Sequence, residues 1–245
     1  MKFDILTLFP EMFEAVLDSS IIGRAKEKGI IELNYIQIRD FAFNKHRQVD
    51  DYPYGGGAGM VMQAEPIYRA YQSVTAGLDY KPHTIYMSPQ GKTFRQSKAV
   101  RLAKKYEHIV ILCGHYEGVD QRVLDEIIDE EISIGDFVLT GGEIAAMAVV
   151  DAVSRMIPGV LKSEEAFSEE SHYSGLLEYP QYTRPEVWHD MKVPETLMSG
   201  HHKNITAWKR KKSIENTFNK RRGMLAKAKL SDEEREYVEK LKEGK

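Results

Sequence analysis

Residues 109–113 (IVILC) form a continuous apolar run that stops at Gly114. A run of this length and composition is typical of a strand that is buried on both faces, as in a parallel sheet. Other β-forming runs at 2–9, 31–38 and 83–87 alternate with helical patterns at 11–17, 97–106 and 143–157. This alternation predicts an α/β fold with a mostly parallel sheet that helices cover on both faces.

The chain changes character at residues 162–178, which are polar and acidic without a clear period, as in a linker. Further on, 203–219 and 231–241 have helical patterns, and Ser231 with Glu234 matches a capping box at the start of the second helix. The sequence therefore predicts three regions, namely an α/β domain over 1–160, a linker over 161–175 and a small all-helical domain over 176–245.

The formal net charge of −3 conceals one segment with an excess of negative charge and another with an excess of positive charge. Residues 117–143 carry nine carboxylates against Arg122 alone, and residues 200–229 carry ten Lys or Arg against Glu215 alone. The near-balance of the whole chain excludes a protein that coats nucleic acid by charge alone, and equally an acidic disordered chain. The asymmetry points to a nucleic-acid partner, although charged clusters are often only solvated faces.

Neither a secreted scaffold nor a membrane protein fits this composition. Cys113 is the single cysteine, so no intrachain disulfide can form. Asp4 and Glu11 interrupt the N-terminal stretch where a signal peptide would be apolar, and no apolar run reaches the length of a membrane span. We expect a cytoplasmic protein in which Cys113 is a small buried residue rather than a catalytic thiol.

Glycines are concentrated in four segments, at 54–60, 88–91, 113–118 and 134–143. Most of these segments follow predicted strands or short apolar runs, and ligands of open α/β sheets bind outside the carboxyl ends of the strands. Glycine lets the backbone approach such a ligand closely. A dinucleotide fingerprint and a GxxxxGK[ST] loop are both absent from the sequence, so the pattern favours another small molecule with many donors and acceptors, such as an adenosine.

Eight ordered segments carry a resemblance to one family. They are LTLFPEMF, HRQVDDYPYGGGAGM, MSPQG, CGHYEGVDQRV, DEEISIGDFVLTGGEIAAM, SRMIPGV, GLLEYPQYTRPEV and LMSGHH. Together they resemble the bacterial tRNA (guanine-37-N1)-methyltransferases over nearly the whole chain. The resemblance implies a SPOUT-class enzyme that uses S-adenosylmethionine. It also implies a homodimer whose active site is shared between subunits, and a trefoil knot in the C-terminal part of the α/β domain.

The resemblance also implies which residues bind the cofactor, and they lie in the glycine segments described above. They are Tyr86, Met87, Ser88, Pro89, Gly114, Tyr116, Glu117, Gly118, Ile134, Gly135, Asp136, Phe137, Val138, Leu139, Gly141 and Gly142.

For catalysis, the resemblance implies a general base in the linker and an arginine at the end of the last α/β helix. The arginine maps onto Arg155, which can also pair with Asp151 one helical turn earlier. The family's aspartate is replaced by Glu170, which is one methylene longer. We predict that Glu170 is the base, with His172 as the alternative base and Glu169 as a solvated linker residue.

The implied substrate is a tRNA with guanine at position 37. The residues that the resemblance and the basic segment place near RNA are His46, Arg47, Asp50, Gly59, Lys209 and Arg210. Gly59 would let the target base lie against the backbone, whereas Trp208 and Phe218 are expected in the helical core rather than as stacking platforms. The resemblance further implies Mg²⁺, but the sequence contains no self-contained cluster of metal ligands.

The sequence is also compatible with two alternative functions. A non-catalytic tRNA-binding module would explain the basic segment and predicts no binding of S-adenosylmethionine. A SPOUT methyltransferase that acts on another RNA site would keep the cofactor loops and differ only in its substrate.

Overall fold

The computed structural model describes residues 1–163 and 170–243, and the chain divides into two units, Met1–Lys162 and Ser163–Lys245. The first unit contains seven strands, six α-helices and one 3₁₀ helix (Ile38–Phe41) in its described residues. The strands are β1 (Lys2–Thr7), β2 (Glu32–Gln37), β3 (Asp50–Asp51), β4 (Val61–Met62), β5 (His83–Thr93), β6 (His108–Cys113) and β7 (Glu130–Ser133). The helices are α1 (Pro10–Leu17), α2 (Ser20–Glu27), α3 (Ala64–Thr75), α4 (Gln96–Lys105), α5 (Gln121–Ile127) and α6 (Glu143–Ser154).

Five of these strands form one sheet in the order β2-β1-β6-β5-β7, and every neighbouring pair is parallel. The register aligns Ile5 of β1 with Tyr35 of β2 and with Ile111 of β6. The two short strands β3 and β4 pair separately as an antiparallel hairpin. The prediction of an α/β fold with a parallel sheet is therefore confirmed.

All six residues of β6 are buried, because helices cover the sheet on both faces. Ile109, Ile111 and Cys113 belong to the apolar cluster that includes side chains of α1, α4 and α6. Val110 and Leu112 belong to a second cluster with α3 and α5. Each fully buried aliphatic side chain contributes about 1.5–3 kcal/mol, so the two clusters fix which residues of each strand face which helices.

The sequence pattern predicted a strand over 83–87 only, and the end of this strand is wrong. Strand β5 continues to Thr93, and Met87 and Lys92 both pair with Ile132, so the residues between them bulge out of the sheet. A Cβ on Gly91 would lie 2.5 Å from the backbone nitrogen of Ile132, which only glycine tolerates. Residues 88–91 therefore form a bulge within strand β5 rather than a turn after it.

Two further differences concern the end of the first unit. Helix α6 ends at Ser154 rather than at residue 157, because Met156 and Ile157 donate to carbonyls three residues earlier and tighten the last turn. Strand β7 was not predicted, since Glu130 and Glu131 obscure its pattern. In the fold, the Glu130 carboxylate is satisfied by Lys98 at 2.6 Å and Arg101 at 2.8 Å.

The second unit has its own core of Leu176, Ile214, Phe218, Leu225 and Val238. Its elements are β8 (Val187–Trp188), β9 (Met191–Lys192), α7 (Glu195–Met198), α8 (His202–Lys220), a 3₁₀ helix (Arg222–Lys227) and α9 (Asp232–Glu243). None of the helices in the described parts of the chain is long and apolar enough to cross a membrane.

The capping box predicted at the start of α9 is confirmed. The Glu234 amide donates to Ser231 Oγ at 3.2 Å, and the Ser231 amide donates to Glu234 Oε2 at 2.9 Å. An all-helical second domain is wrong, because β8 and β9 form a hairpin. Its two turn residues, His189 and Asp190, have φ of 47° and 64°, values usually supplied by Asn-Gly, so the sequence lacked the common hairpin signal.

A buried polar network closes the amino end of the main sheet. Asp4 Oδ2 lies 2.7 Å from His108 Nε2, and Asp4 Oδ1 accepts from Asn34 Nδ2 at 2.7 Å. Lys2 lies 3.3 Å from the same carboxylate. Burial opposes ionisation of Asp4, but these partners hold its pKa below its ordinary value of 3.8. The network therefore ties β1, β2 and β6 together through one ionised carboxylate.

We predict that Asp4→Asn lowers the free energy of unfolding at pH 7 by about 1–3 kcal/mol, because buried partners lose a charged acceptor. The pKa of Asp4 is lower in the folded protein, so this contribution is present above pH 3.8 and is lost as the pH falls further. Urea unfolding at pH 7 and in acid, with exposed Asp79→Asn as control, measures both effects. Equal stability of Asp4→Asn and the parent at pH 7 would contradict this role.

Candidate active site

A cavity of about 350 Å³ lies at the carboxyl ends of β5, β6 and β7. This edge of a parallel α/β sheet is where ligands bind, and the volume is in the range of small-molecule sites. Three segments line it, namely the bulge of β5, the loop after β6 and the loop from β7 to α6. The cavity is therefore built from loops together with the strand ends that hold them in place.

The loop after β6 and the segment that enters α6 cross in direct backbone contact. The Gly142 amide donates to the Gly114 carbonyl at 2.8 Å, and His115 forms an isolated antiparallel bridge with Gly141. A Cβ on Gly142 would lie 3.0 Å from Cα of Cys113. The crossing thus requires glycine because the two backbones leave little space for a side chain.

Gly141 is confined by two side chains of the same site. A Cβ there would collide with Glu143 Oε2 and would lie 2.6 Å from Cδ2 of His115. Glu143 is only 2% exposed, accepts a hydrogen bond from Thr7 Oγ1 at 2.9 Å and lies in the first turn of α6. A carboxylate in that position is favoured by the helix dipole, so Glu143 links the end of β1 to the wall of the cavity.

Two ionisable groups stay protonated near neutral pH, namely Tyr86, which lines the cavity, and Cys113, which is buried at the end of β6. Burial, assisted by the charge of Glu131, raises the pKa of Tyr86 to about 12. Burial, assisted by Glu143, raises the pKa of the Cys113 thiol well above its ordinary value. Because a thiolate is the reactive form, Cys113 acts as a buried packing residue.

Tyr116 has a strained backbone at the mouth of the cavity. Its φ is 58°, which is unusual for a residue other than glycine, and its hydroxyl accepts from Arg39 at 3.1 Å. Such strain costs on the order of 1 kcal/mol or more, and it is concentrated at ligand sites.

All the predicted cofactor residues except Asp136 line the cavity, and Asp136 is exposed outside it. Sequence reasoning missed several lining residues, among them His115, Glu131 and Ser133. His115 lies within the glycine segment 113–118, so the sequence did contain a signal for its position. Glu131 and Ser133 lie on β7, which the sequence did not predict, so their position could not be inferred.

The acidic segment 117–143 is only partly a solvated helix surface. Helix α5 carries only Asp125 and Glu126 of its carboxylates. Glu117 and Glu131 line the cavity, and Glu143 is buried against it. The acidic excess is therefore partly a property of the cavity.

The residues predicted near the target base lie in and before the hairpin 50–62, which we call the glycine hairpin. His46 and Arg47 are exposed, Arg47 pairs with Asp40 at 3.1 Å, and Asp50 is half-buried in β3. The space left by the missing side chain of Gly59 is filled by the side chain of Glu117 rather than left open for a base.

The glycine hairpin is fastened to the rim of the cavity. The Glu117 amide donates to the Met60 carbonyl at 3.0 Å, and the Met62 amide donates to the Gly118 carbonyl at 2.9 Å. A ligand in the cavity and a partner on the hairpin would therefore meet at one place.

Arg155 is half-buried at the C-terminal end of α6 and does not line the cavity of its own chain. Helix α6 begins at the cavity and has 12 residues, which corresponds to about 18 Å at 1.5 Å per residue. This distance is greater than the reach of an arginine side chain.

The predicted bases belong to the second unit. Glu170 is half-buried, and its carbonyl accepts from the Tyr173 amide at 3.4 Å. His172 is exposed, has φ of 72° and donates its amide to the Leu176 carbonyl at 2.9 Å. Glu169 lies outside the described residues. Glu170 and His172 thus lie in a folded turn that leads to buried Leu176.

The two basic residues of α8 that were predicted to lie near RNA are engaged with neighbours in the second unit. The Arg210 guanidinium pairs with Glu234 at 2.7 Å and donates to the Lys229 carbonyl at 2.9 Å. The Lys209 ammonium lies 4.6 Å from the centre of the Tyr179 ring. Phe218 is 2% exposed, which confirms its assignment to the core, and Trp208 is half-buried.

Metal ligands do not gather in the part of the chain that the structure describes. No group of three or more His, Cys, Asp or Glu side chains there could hold a metal ion.

Comparison with known proteins adds an independent finding. Residues 1–227 match the model of the family described as tRNA (Guanine-1)-methyltransferase TrmD. A protein of Ruminiclostridium cellulolyticum, named tRNA (guanine-N(1)-)-methyltransferase, is 56% identical over 93% of this chain and 97% of its own length. Proteins with the same name from Alkaliphilus metalliredigens and Bacillus cereus are 52% and 49% identical, each over 100% of both chains.

The family model matches most of the chain, and these relatives are 49–56% identical to it. The small-molecule cavity at the sheet edge is consistent with this match. The chain belongs to the tRNA (guanine-1)-methyltransferase family.

Proposed function

We propose that the protein transfers a methyl group from S-adenosylmethionine to N1 of the guanine at position 37 of tRNA. The observation that carries the proposal is the three-loop cavity with the glycine hairpin fastened to its rim, in a chain of this family. A tRNA substrate also implies a cytoplasmic enzyme.

The cavity suits S-adenosylmethionine in size and in chemistry. Its walls include the loop backbone at 138–140, whose amides and carbonyls can read an adenosine, and the side chains of Glu117 and Glu131 suit a cationic sulfonium and ammonium. When bound, S-adenosylmethionine supplies an electrophilic methyl group. The other residues proposed to hold it are those of the three loops that were predicted from the sequence, without Asp136.

Methylation of guanine at N1 requires two groups from the protein. Neutral guanine N1 carries a proton, so a base has to remove it, and a cation has to stabilise the charge that develops on O6. Glu170 is the proposed base, with His172 as the alternative, and Arg155 is the proposed cation.

The position of Arg155 supports a homodimer with a shared active site. Since α6 separates Arg155 from the cavity of its own chain, the arginine can serve a cavity only in a second copy. A two-fold interface would then supply two such sites, each with loops from one chain and Arg155 from the other.

The RNA surface is proposed to combine two basic regions. His46, Arg47 and Asp50 lie before or within the glycine hairpin, whose base is bonded to the rim of the cavity. Lys209 and Arg210 would contact phosphates, with Arg210 limited by its pairing with Glu234. Since phosphate contacts release counterions, the affinity for tRNA is expected to fall with salt.

Two further features of the family enter as proposals. The chain that leaves the edge strand β7 returns across the end of β6, where Gly142 meets Gly114, and then packs α6 against α1 and α4. This path supports a trefoil knot around the cofactor site. The described residues do not fit a Mg²⁺ site, so no step is derived through that ion.

The reaction itself is testable with labelled S-adenosylmethionine and tRNA transcripts that differ only at positions 36 and 37. We expect label in N1-methylguanine from the transcript with guanine at position 37, and none when adenine replaces it. Label on another nucleoside or on ribose, or no transfer at all, would refute the proposed function.

The identity of the base is tested by Glu170→Gln, which keeps the shape of the side chain but removes its basicity. We expect turnover to fall by roughly 10²- to 10⁴-fold, with the affinity for S-adenosylmethionine unchanged. His172→Ala is the matched variant in the same turn and should retain most activity. If His172→Ala loses activity and Glu170→Gln keeps it, the base is His172.

Sharing of the site is tested by mixing two inactive variants. Gly141→Val should collide with Glu143 and His115 and weaken S-adenosylmethionine binding roughly ten-fold or more, whereas Arg155→Ala should bind it normally. After subunit exchange, mixed dimers carry one intact site, and activity should return to about a quarter of the parent value for random pairing.

The controls are each variant incubated alone and Gly223→Ala, where an added Cβ meets no atom within 4 Å. Gly223→Ala should bind S-adenosylmethionine like the parent. Exchange is verified with differently tagged chains, and exchanged mixtures that stay inactive would show that Arg155 does not act across an interface.

A further inference from the structure

The tip of the glycine hairpin carries two tyrosines that are almost fully exposed. Tyr54 is 100% exposed and Tyr52 is 78% exposed. Within the described residues, neither ring packs on another ring or on a cation, in contrast to Phe43, whose ring lies 3.7 Å from the Arg69 guanidinium. Two large rings displayed in this way are available to a planar partner.

The hairpin that carries them is anchored rather than free. Asp50 pairs with Met62 and Asp51 with Val61, and the strand end is bonded to Glu117 and Gly118 of the cofactor loop. The rings are therefore displayed from a hairpin whose base is the rim of the cavity. A base that enters the cavity beside this part of the rim would pass close to the hairpin.

The surroundings of the rings suit single-stranded RNA. Gly55, Gly56 and Gly57 have φ of 88°, 78° and 131°, and an added Cβ at any of them would meet no atom within 4 Å, so the loop beside the tyrosines leaves room for a flat ligand. The exposed guanidinium groups of Arg47 and Arg122 pair with Asp40 at 3.1 Å and with Asp120 at 2.6 Å, so an RNA phosphate would compete with these carboxylates for them.

We propose that Tyr52 and Tyr54 stack on unpaired bases that flank the base being methylated, and so position the RNA strand over the cavity. Base–aromatic stacking tolerates any base, because every base has a π face. This inference rests on the proposed function, since it takes the substrate to be an unpaired RNA loop. A second copy of the chain is the competing occupant, but the rings are followed by three glycines rather than by a contiguous apolar patch.

The test measures binding of a synthetic anticodon stem-loop RNA by fluorescence anisotropy, with the full-length protein. Tyr54→Ala and Tyr52→Ala are expected to weaken RNA binding by roughly 5- to 150-fold each, the range for loss of one stacked base. S-adenosylmethionine affinity should not change, and Tyr54→Phe, which keeps the ring, should restore RNA binding.

The decisive comparison uses RNAs in which one loop nucleotide at a time lacks its base. When the missing base is the one that stacks on Tyr54, the parent and Tyr54→Ala should bind with equal affinity. A defect of Tyr54→Ala that persists with every such RNA overturns the proposal. So does dissociation of Tyr54→Ala into monomers by light scattering, which would assign the ring to a second copy.

Methylation of the intact stem-loop by the parent protein is scored separately. If the parent binds the RNA through the tyrosines but transfers no methyl group, the proposed reaction fails while the stacking role stands. If methylation occurs and the tyrosine variants bind normally, only the stacking role fails.

Discussion

The close crossing of two glycine backbones is the constraint on which the rest of the site depends. The Gly142 amide bonds to the Gly114 carbonyl at 2.8 Å, directly beside the end of the central strand β6. This contact brings the loop from β7 back across the sheet edge, so that three loops enclose one cavity. It also fixes where α6 starts, and the buried Glu143–Thr7 hydrogen bond holds that start against β1.

The direction of α6 has consequences for the proposed chemistry. The helix carries Arg155 away from the cavity of its own chain, while the glycine hairpin stays fastened to the rim through Met60 and Met62. In the proposed enzyme, one chain would therefore supply the methyl donor site and the RNA-facing hairpin, and a second chain would supply the cation. In this proposal, the same local crossing that shapes the cavity would also make assembly a requirement for catalysis.

Much of this arrangement could be predicted from the sequence, because it depends on local signals. The apolar run at 109–113 identified the buried strand, and the capping box at Ser231 located α9. Strand β7 was missed because its Glu130 is satisfied by Lys98 and Arg101, which are distant in sequence. The filling of the space at Gly59 by Glu117 could not be foreseen either, since it depends on a tertiary contact.

In the proposed enzyme, the three loops joined at the Gly114–Gly142 crossing form one S-adenosylmethionine site. Hydrogen exchange of backbone amides with and without S-adenosylmethionine tests it most directly. We predict slower exchange on binding in 86–89, 114–118 and 134–142 together, with little change at the amino end of the sheet. Protection that is absent from these loops, or that is found only in the second unit, would contradict the account.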